Sequence, residues 1–141
     1  MNHSMKRAPI LLGIAALVAC GSDSSGPKQT VAGTYVATQW VTTGSSGQTD
    51  QLLAGNGLFL SLSANGSLAG QLHTASTNSD TDMAGTWAQA GSTITFSQQA
   101  DTFVRDMAFE IVPDVNRWQL VADGGPAGTR IQITLTQQPT P

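Results

Sequence analysis

The sequence predicts an all-β protein: a single small antiparallel barrel of eight up-and-down strands, preceded by a signal peptide and a flexible tether. From Val31 onward, short runs alternate between apolar and polar residues, as half-buried strands do, and none carries a convincing helical period. Turn-forming residues separate these runs. Eight strands with one apolar face would leave exposed edges in an open sheet, so closure into a barrel is favoured.

The length of 141 residues fits one domain. We interpret residues 1–19 as a cleaved signal peptide, 20–30 as a cysteine with a flexible tether, 31–137 as the barrel domain and 138–141 as a C-terminal tail. The tether is rich in glycine and serine and has no pattern that could bury a core, so we expect it to act as a spacer.

The first residues have the pattern of a secretory signal. Lys6 and Arg7 form a basic n-region, and Ile10–Ala19 is an apolar run. As a helix this run would cover about 15 Å, half of a hydrocarbon core of about 30 Å, so it is too short to span a membrane. Translation could begin at Met1 or at Met5, which directly precedes the basic pair.

The apolar run ends in Leu17-Val18-Ala19-Cys20-Gly21, which resembles the lipobox of bacterial lipoproteins. The resemblance implies cleavage before Cys20, a diacylglycerol on its sulfur and acylation of the new amino group. Two or three acyl chains would hold the protein stably at the membrane. By resemblance to the sorting of enterobacterial lipoproteins, Gly21 at the next position implies the outer membrane, facing either the periplasm or the cell surface.

Charge and cysteine content exclude several classes of protein. Without residues 1–19, four basic residues remain against nine acids, a net charge of −5. This balance argues against binding nucleic acid or anionic lipid through the protein surface. The single cysteine allows no internal disulfide, so the core alone must stabilise the fold. We expect a monomer.

The alternation divides residues 31–137 into eight predicted strands. These are Gly33–Thr42, Gly57–Ser63, Ser67–His73, Asp82–Ala88, Ser92–Ser97, Phe103–Ile111, Arg117–Ala122 and Thr129–Thr136. The inward face of the first strand stays open. Either Val36 and Trp40 point inward, or Tyr35, Ala37 and Val41 do, and a bulge would let both sets contribute.

Turn chemistry predicts two unlike ends. Asn65-Gly66, Gln89–Gly91 and Pro113–Asn116 are short hairpin turns and fall at one end, here called the tight-turn end. The other connections form the long-loop end; they are 43–56, 74–81, 98–102 and 123–128. Five acids in or beside them predict an acidic rim: Asp50, Asp80, Asp82, Asp101 and Asp123.

The chain resembles the lipocalin-like lipoprotein domains of bacteria. The matching segments are the lipobox, the short tether, Ala32–Tyr35, Ser63–Ser67, Ala84–Trp87 and Ser92–Phe96. The resemblance covers nearly the whole chain and implies an eight-stranded barrel.

The residues give no support for an enzyme, a metal site or a cofactor. Cys20 is acylated in this interpretation, and His73, the histidine of the mature domain, falls on the outward face of its strand. Asn78, Asp80 and Asp82 offer oxygen ligands for calcium but lack a full ligand set, so a polar turn is favoured. We predict no catalytic residues.

One basic residue suggests a ligand. Arg105 shares parity with Phe103 and should point inward, where an arginine needs a partner, water or a ligand. Alternatively, the strand is bulged or begins later and Arg105 reaches solvent. The predicted ligand-binding residues are Arg105, Phe103, Trp40, Leu58 and Leu72. The expected ligand is a small apolar or amphipathic molecule, with an anionic group if Arg105 is buried.

Two functions from different classes remain open. The barrel could bind a small ligand without catalysis, with the long-loop end as its mouth. It could instead be a structural or inhibitory lipoprotein whose solid-packed barrel binds a protein partner. Strand number does not decide, because such a barrel can be filled by side chains or hold one small ligand. Five aromatic residues favour filling: Trp87, Phe96, Phe103, Phe109 and Trp118.

Overall fold

The computed structural model describes residues 30–139. The predicted signal peptide, Cys20 and most of the tether lie outside these residues. The elements are β1 (Gly33–Gly44), β2 (Gly47–Asp50), β3 (Gly57–Leu62), β4 (Ser67–Thr74), β5 (Ser79–Ala90), β6 (Thr93–Gln98), α1 (Phe103–Asp106), β7 (Phe109–Asp114), β8 (Arg117–Gly124) and β9 (Arg130–Gln137). Neighbouring strands pair antiparallel, and β1 also pairs with β9, which closes the barrel. The predicted eight-stranded up-and-down barrel is confirmed; β2 is an additional short strand on β1.

The first strand contains a bulge. Its register against β9 shifts between Ala37 and Gln39. Tyr35 and Ala37 are therefore buried before the bulge and Trp40 after it, while Val36 is 37% exposed. The extra residue switches the side chains between faces, as bulges do. This confirms that a bulge lets both sets contribute to the core.

The two ends of the barrel are as predicted. Asn65 and Gly66 form a tight turn, in which the Asn65 side-chain oxygen accepts the Ser67 backbone N–H at 3.0 Å and Gly66 has a φ of +91°. β1 starts at this end, because Gly33 lies opposite Leu62. The described residues therefore begin at the tight-turn end.

The predicted sixth strand, Phe103–Ile111, is wrong in its first half. Phe103–Asp106 is the short helix α1, and the strand β7 begins at Phe109. Two exposed residues, Arg105 and Asp106, separate the buried Val104 and Met107, so the alternation of a strand is broken here. The helix is only four residues long, which is too short for a helical period to be recognised in the sequence.

The barrel wall is weakest between β6 and β7. These strands pair at two positions, Thr93 with Glu110 and Ile94 with Phe109. By contrast, β4 and β5 pair at eight. Residues 99–108, called here the cover segment, leave the wall where this pairing ends and carry α1.

The core runs through the barrel from end to end. Its largest fully buried side chains are Tyr35, Phe109, Leu60, Leu62, Met83, Ile94, Leu120, Ile133, Leu135 and Val104. At the tight-turn end the Tyr35 hydroxyl donates to the Val31 carbonyl at 2.5 Å. Because water is excluded there, burial raises the pKa of Tyr35 above that of an ordinary tyrosine.

Candidate binding site at the long-loop end

The helix α1 covers the mouth of the barrel, which is its opening at the long-loop end. The Arg105 backbone N–H donates to the Thr102 carbonyl at 3.2 Å, which turns the chain into the helix. Val104 is fully buried and Met107 is 8% exposed. The cover segment thus adds its own apolar side chains to the core.

The structure brings two predicted site residues into contact. The rings of Trp40 and Phe103 have centroids 5.3 Å apart and planes tilted by 45°. Leu58 and Leu72 lie opposite each other on β3 and β4; Leu58 is buried and Leu72 is partly buried against the core. All four are part of, or packed against, the core, and Leu58 and Leu72 lie where β3 and β4 meet the long-loop end.

Arg105 does not join them, and its predicted inward orientation is wrong. Its side chain is 39% exposed and pairs with two carboxylates, Asp101 at 2.9 Å and Asp106 at 3.3 Å. The reason is the helix, which turns Arg105 to solvent where a strand would have turned it inward. The alternative interpretation, in which Arg105 reaches solvent, is confirmed. This removes the reason for expecting an anionic group on the ligand.

A pocket of about 540 Å³ lies between α1 and the connection from β8 to β9. We call it the rim pocket, and its main lining residues are Asp101, Phe103, Asp106, Met107, Pro126 and Ile131. Four of these are apolar and two are carboxylates. The carboxylates share one guanidinium, so the pocket edge is slightly acidic.

An ion pair holds the base of the loop wall of this pocket. Arg130 donates to both carboxylate oxygens of Asp123, at 2.8 and 2.6 Å. The hydrogen bond from Arg130 lowers the pKa of Asp123, and the same contact raises the pKa of Arg130. A planar two-point contact fixes orientation as well as distance. The connection between β8 and β9 therefore starts and ends at a defined separation.

A chain of hydrogen bonds fixes the opposite side of the mouth. The Gln51 amide donates to the Thr42 hydroxyl at 2.6 Å and accepts from Asn56 at 2.5 Å. The Asn56 oxygen in turn accepts the Ala75 backbone N–H at 2.8 Å. These bonds hold the connection between β2 and β3, whose Leu52 packs against the core.

Polar side chains are also buried beneath α1. The Gln98 amide donates to the Thr102 hydroxyl at 2.8 Å, and that hydroxyl contacts the Met83 sulfur at 3.3 Å. Among residues 30–139, the Nε1 of Trp40 and the Oε1 of Gln98 are buried polar atoms without a hydrogen-bond partner. The predicted fifth strand ended at Ser97, which left Gln98 in a connection. Its parity with Ile94 and Phe96 was the signal that could have identified an inward-facing amide.

The predicted acidic rim is solvent-exposed, and its members have local partners. Asp80 lies 2.6 Å from the outward-facing His73, and Asp50 accepts the Leu52 and Leu53 backbone N–H groups. Within the described part of the chain, no three acidic, histidine or cysteine side chains are grouped so that they could hold a metal ion. Residues 30–139 also include no helix of the length and hydropathy that membrane crossing requires.

Among known proteins, some solved structures are similar to this chain in architecture. No protein-family model matches the chain, and no curated protein matches it significantly. A lipocalin-like protein from Bacteroides uniformis ATCC 8492 is similar in structure, with 14% identity, 73% of this chain and 96% of that chain covered, and a TM-score of 0.43. A redesigned β-barrel matches at 16% identity, covering 77% of this chain and 92% of that chain, with a TM-score of 0.42.

Proposed function

We propose that the protein is a non-catalytic binding protein that takes a small apolar or amphipathic molecule in the rim pocket and is anchored to the bacterial envelope through lipid on Cys20. The observation that carries the binding function is the pocket itself. Its volume of about 540 Å³ falls in the usual range for small-molecule sites, about 300–1,000 Å³. Phe103, Met107 and Ile131 supply apolar contact area beside a few polar groups.

The charges at the pocket edge favour one kind of polar group on the ligand. Asp101 and Asp106 outnumber Arg105, whose guanidinium they already engage. The net negative charge there would repel a carboxylate or phosphate, but it would not repel a neutral donor or a cation. The ligand's polar group is therefore neutral or cationic.

Native mass spectrometry of the mature protein tests the binding function. Pro126→Trp adds a large ring to an exposed lining residue of the pocket, without replacing a core side chain. We expect a small molecule to co-purify with the wild type and its occupancy to fall at least tenfold in Pro126→Trp. The matched control is Val115→Trp at the tight-turn end, where Val115 is 81% exposed. Equal retention in all three proteins would contradict the proposal.

The anchor is tested separately. Cys20 ends an apolar run of signal-peptide length, so Cys20→Ser should release the protein from the membrane fraction or block its processing. Ser24→Ala in the tether is the control and should fractionate like the wild type. A Cys20→Ser protein that still matures and stays with the membranes would show that lipid on this sulfur is not the anchor.

A second function is favoured by the packed interior. The described core contains side chains from both ends of the barrel, and Leu53, in the connection after β2, is 88% exposed. Such a barrel would bind a protein partner through its long loops. No retained small molecule, together with loss of a cross-linked partner in Leu53→Ser, would favour this function over the first.

A further inference from the structure

Trp40 and Gln98 enter the barrel from opposite walls. Trp40 lies on β1 and Gln98 on β6, which are four places apart in the closed ring of eight strands. Both face inward, and they are 7% and 6% exposed. Each is therefore more than nine-tenths buried.

These two side chains offer complementary hydrogen-bonding groups. Of the polar side-chain atoms described, the buried Nε1 of Trp40 is an unpartnered donor and the buried Oε1 of Gln98 is an unpartnered acceptor. Leaving such groups unpaired in a core disfavours folding, and native proteins keep few of them. A group that both accepts and donates would satisfy the pair.

Two consecutive residues of the cover segment separate these atoms from the rim pocket. Thr102 accepts from the Gln98 amide at 2.8 Å, and the Phe103 ring packs on that of Trp40. Thr102 and Phe103 also line the pocket. Movement of the Phe103 ring would therefore connect the pocket to the interior.

The cover segment has little backbone pairing with the barrel wall. Next to it the barrel wall pairs at two positions, Thr93 with Glu110 and Ile94 with Phe109. α1 is a single turn, and the Thr102 side chain makes no capping bond to it. Segments with few wall contacts open at lower free energy than the body of a barrel.

We propose that the interior beneath α1 binds the polar head of a neutral amphiphile between Trp40 Nε1 and Gln98 Oε1, with the rim pocket as its entrance. This rests on the proposed binding function and names the ligand class. The head is uncharged, because no charged side chain is buried within residues 30–139 to pair with it, and an unpaired charge there is strongly disfavoured. An amide or hydroxyl on an apolar tail can accept from the Trp40 N–H and donate to the Gln98 oxygen.

Indole N–H signals of the full mature protein, anchored in lipid nanodiscs, test this site. The water-soluble probe is hexanamide, and hexanoate at pH 8 is its charged counterpart. Of the three tryptophans, we expect the indole signal of Trp40 to shift saturably with hexanamide while those of Trp87 and Trp118 stay fixed. Hexanoate should bind at least tenfold more weakly.

Two substitutions remove one partner each. Trp40→Phe and Gln98→Met should each lower hexanamide affinity about tenfold, the loss of one hydrogen bond. If Trp40→Phe fails to fold, Gln98→Met carries the test. Trp87→Phe is the matched control, because the Trp87 N–H bonds to the Ser63 carbonyl at the tight-turn end, at 2.8 Å. It should leave the affinity unchanged.

Other outcomes overturn the interior site. Saturable binding that moves Ile131 signals but not the Trp40 indole would place hexanamide in the pocket alone, and the proposed function would stand. A Trp40 indole signal that does not shift would also overturn the interior site, even if the reason were water already bound there. Absence of saturable binding would do the same, and the fate of the proposed function would then follow from the retention measured with Pro126→Trp.

Discussion

The indole of Trp40 and the phenyl ring of Phe103 pack with their centroids 5.3 Å apart, joining the first barrel strand to the helix that covers the mouth. The contact brings together two elements that are far apart in sequence. It also makes Phe103 a wall of the rim pocket and, at the same time, part of the packing above the barrel interior. Loss of this ring should therefore affect stability as well as binding.

Phe103→Ala should lower the free energy of unfolding by about 2 kcal/mol. Fully buried phenylalanines lose about 3–5 kcal/mol on truncation, and Phe103 is only partly buried. Urea denaturation monitored by circular dichroism measures the difference. Leu53→Ala, at a position 88% exposed, should change stability by less than about 0.5 kcal/mol. Equal effects of the two substitutions would show that α1 does not pack on the barrel as described.

Gly85→Ala should destabilise the barrel by about 3 kcal/mol or more, at the upper end of overpacking effects. A Cβ at Gly85 would collide with the Ser97 carbonyl oxygen on the neighbouring strand, and backbone cannot move aside cheaply. Gly44→Ala is the control, since a Cβ there meets no atom within 4 Å. Comparison of denaturation midpoints at matched slopes gives the difference, and a tolerated Gly85→Ala would place β5 and β6 farther apart.

Tyr35 should make stability fall at alkaline pH. Burial raises its pKa above the usual value of about 10, so the unfolded chain loses the proton first. The contribution is complete below about pH 10 and is lost above it, at up to about 1.4 kcal/mol per pH unit.

Tyr35→Phe should abolish this alkaline slope, although it also removes the hydrogen bond to Val31, at a cost of about 1 kcal/mol at neutral pH. The chain has one tyrosine, so tyrosinate absorbance reports on Tyr35 alone. Denaturation of both proteins from pH 8 to pH 12 checks the slope. A tyrosine that ionises at its ordinary pKa while the barrel stays folded would contradict the burial.

Arg130→Gln should raise the pKa of Asp123 towards that of an ordinary carboxyl, because the hydrogen bond that lowers it is lost. Carboxyl carbon signals followed through an acid titration measure this. Arg117→Gln serves as the counterpart: Arg117 bonds to Asp114 at 2.8 Å at the tight-turn end and lowers its pKa. Each substitution should raise the pKa of its own partner carboxyl only. A change in both pKa values from one substitution would show that the two pairs are not separate.

The architecture was predictable because barrels repeat a simple period. Ile131, Ile133 and Leu135 alternate with polar residues over a full strand, and all three are buried. The two residues Asn65 and Gly66 are enough to predict their hairpin turn. Such signals are local and can be recognised without knowledge of the tertiary packing. The cover segment has no such signal, since one helical turn is shorter than the window in which a helix and a strand can be distinguished.

The site was predictable only in its apolar part. Trp40 was one of two inward choices on its strand, and Phe103 was placed inward by the strand parity that it shares with Arg105. The structure brings the two rings together, although Phe103 lies in a helix. The position of Arg105 depended on one wrong strand boundary, so its whole environment changed with it. Gln98 was missed because a polar residue beside a loop is usually solvated, and only closure of the barrel beneath α1 buries it.

The position of β1 also has a mechanical consequence. The strand that receives the N-terminal chain is paired on both flanks, with β3 along Gly33–Val36 and with β9 along Tyr35–Thr43. Hydrogen bonds in antiparallel ladders run perpendicular to the strands. A force applied through the N-terminal chain along the strand axis therefore loads both ladders in shear, and their bonds must rupture together and not one after another. Under tension along its axis, β1 should resist separation from its neighbours better than a strand whose bonds can break singly.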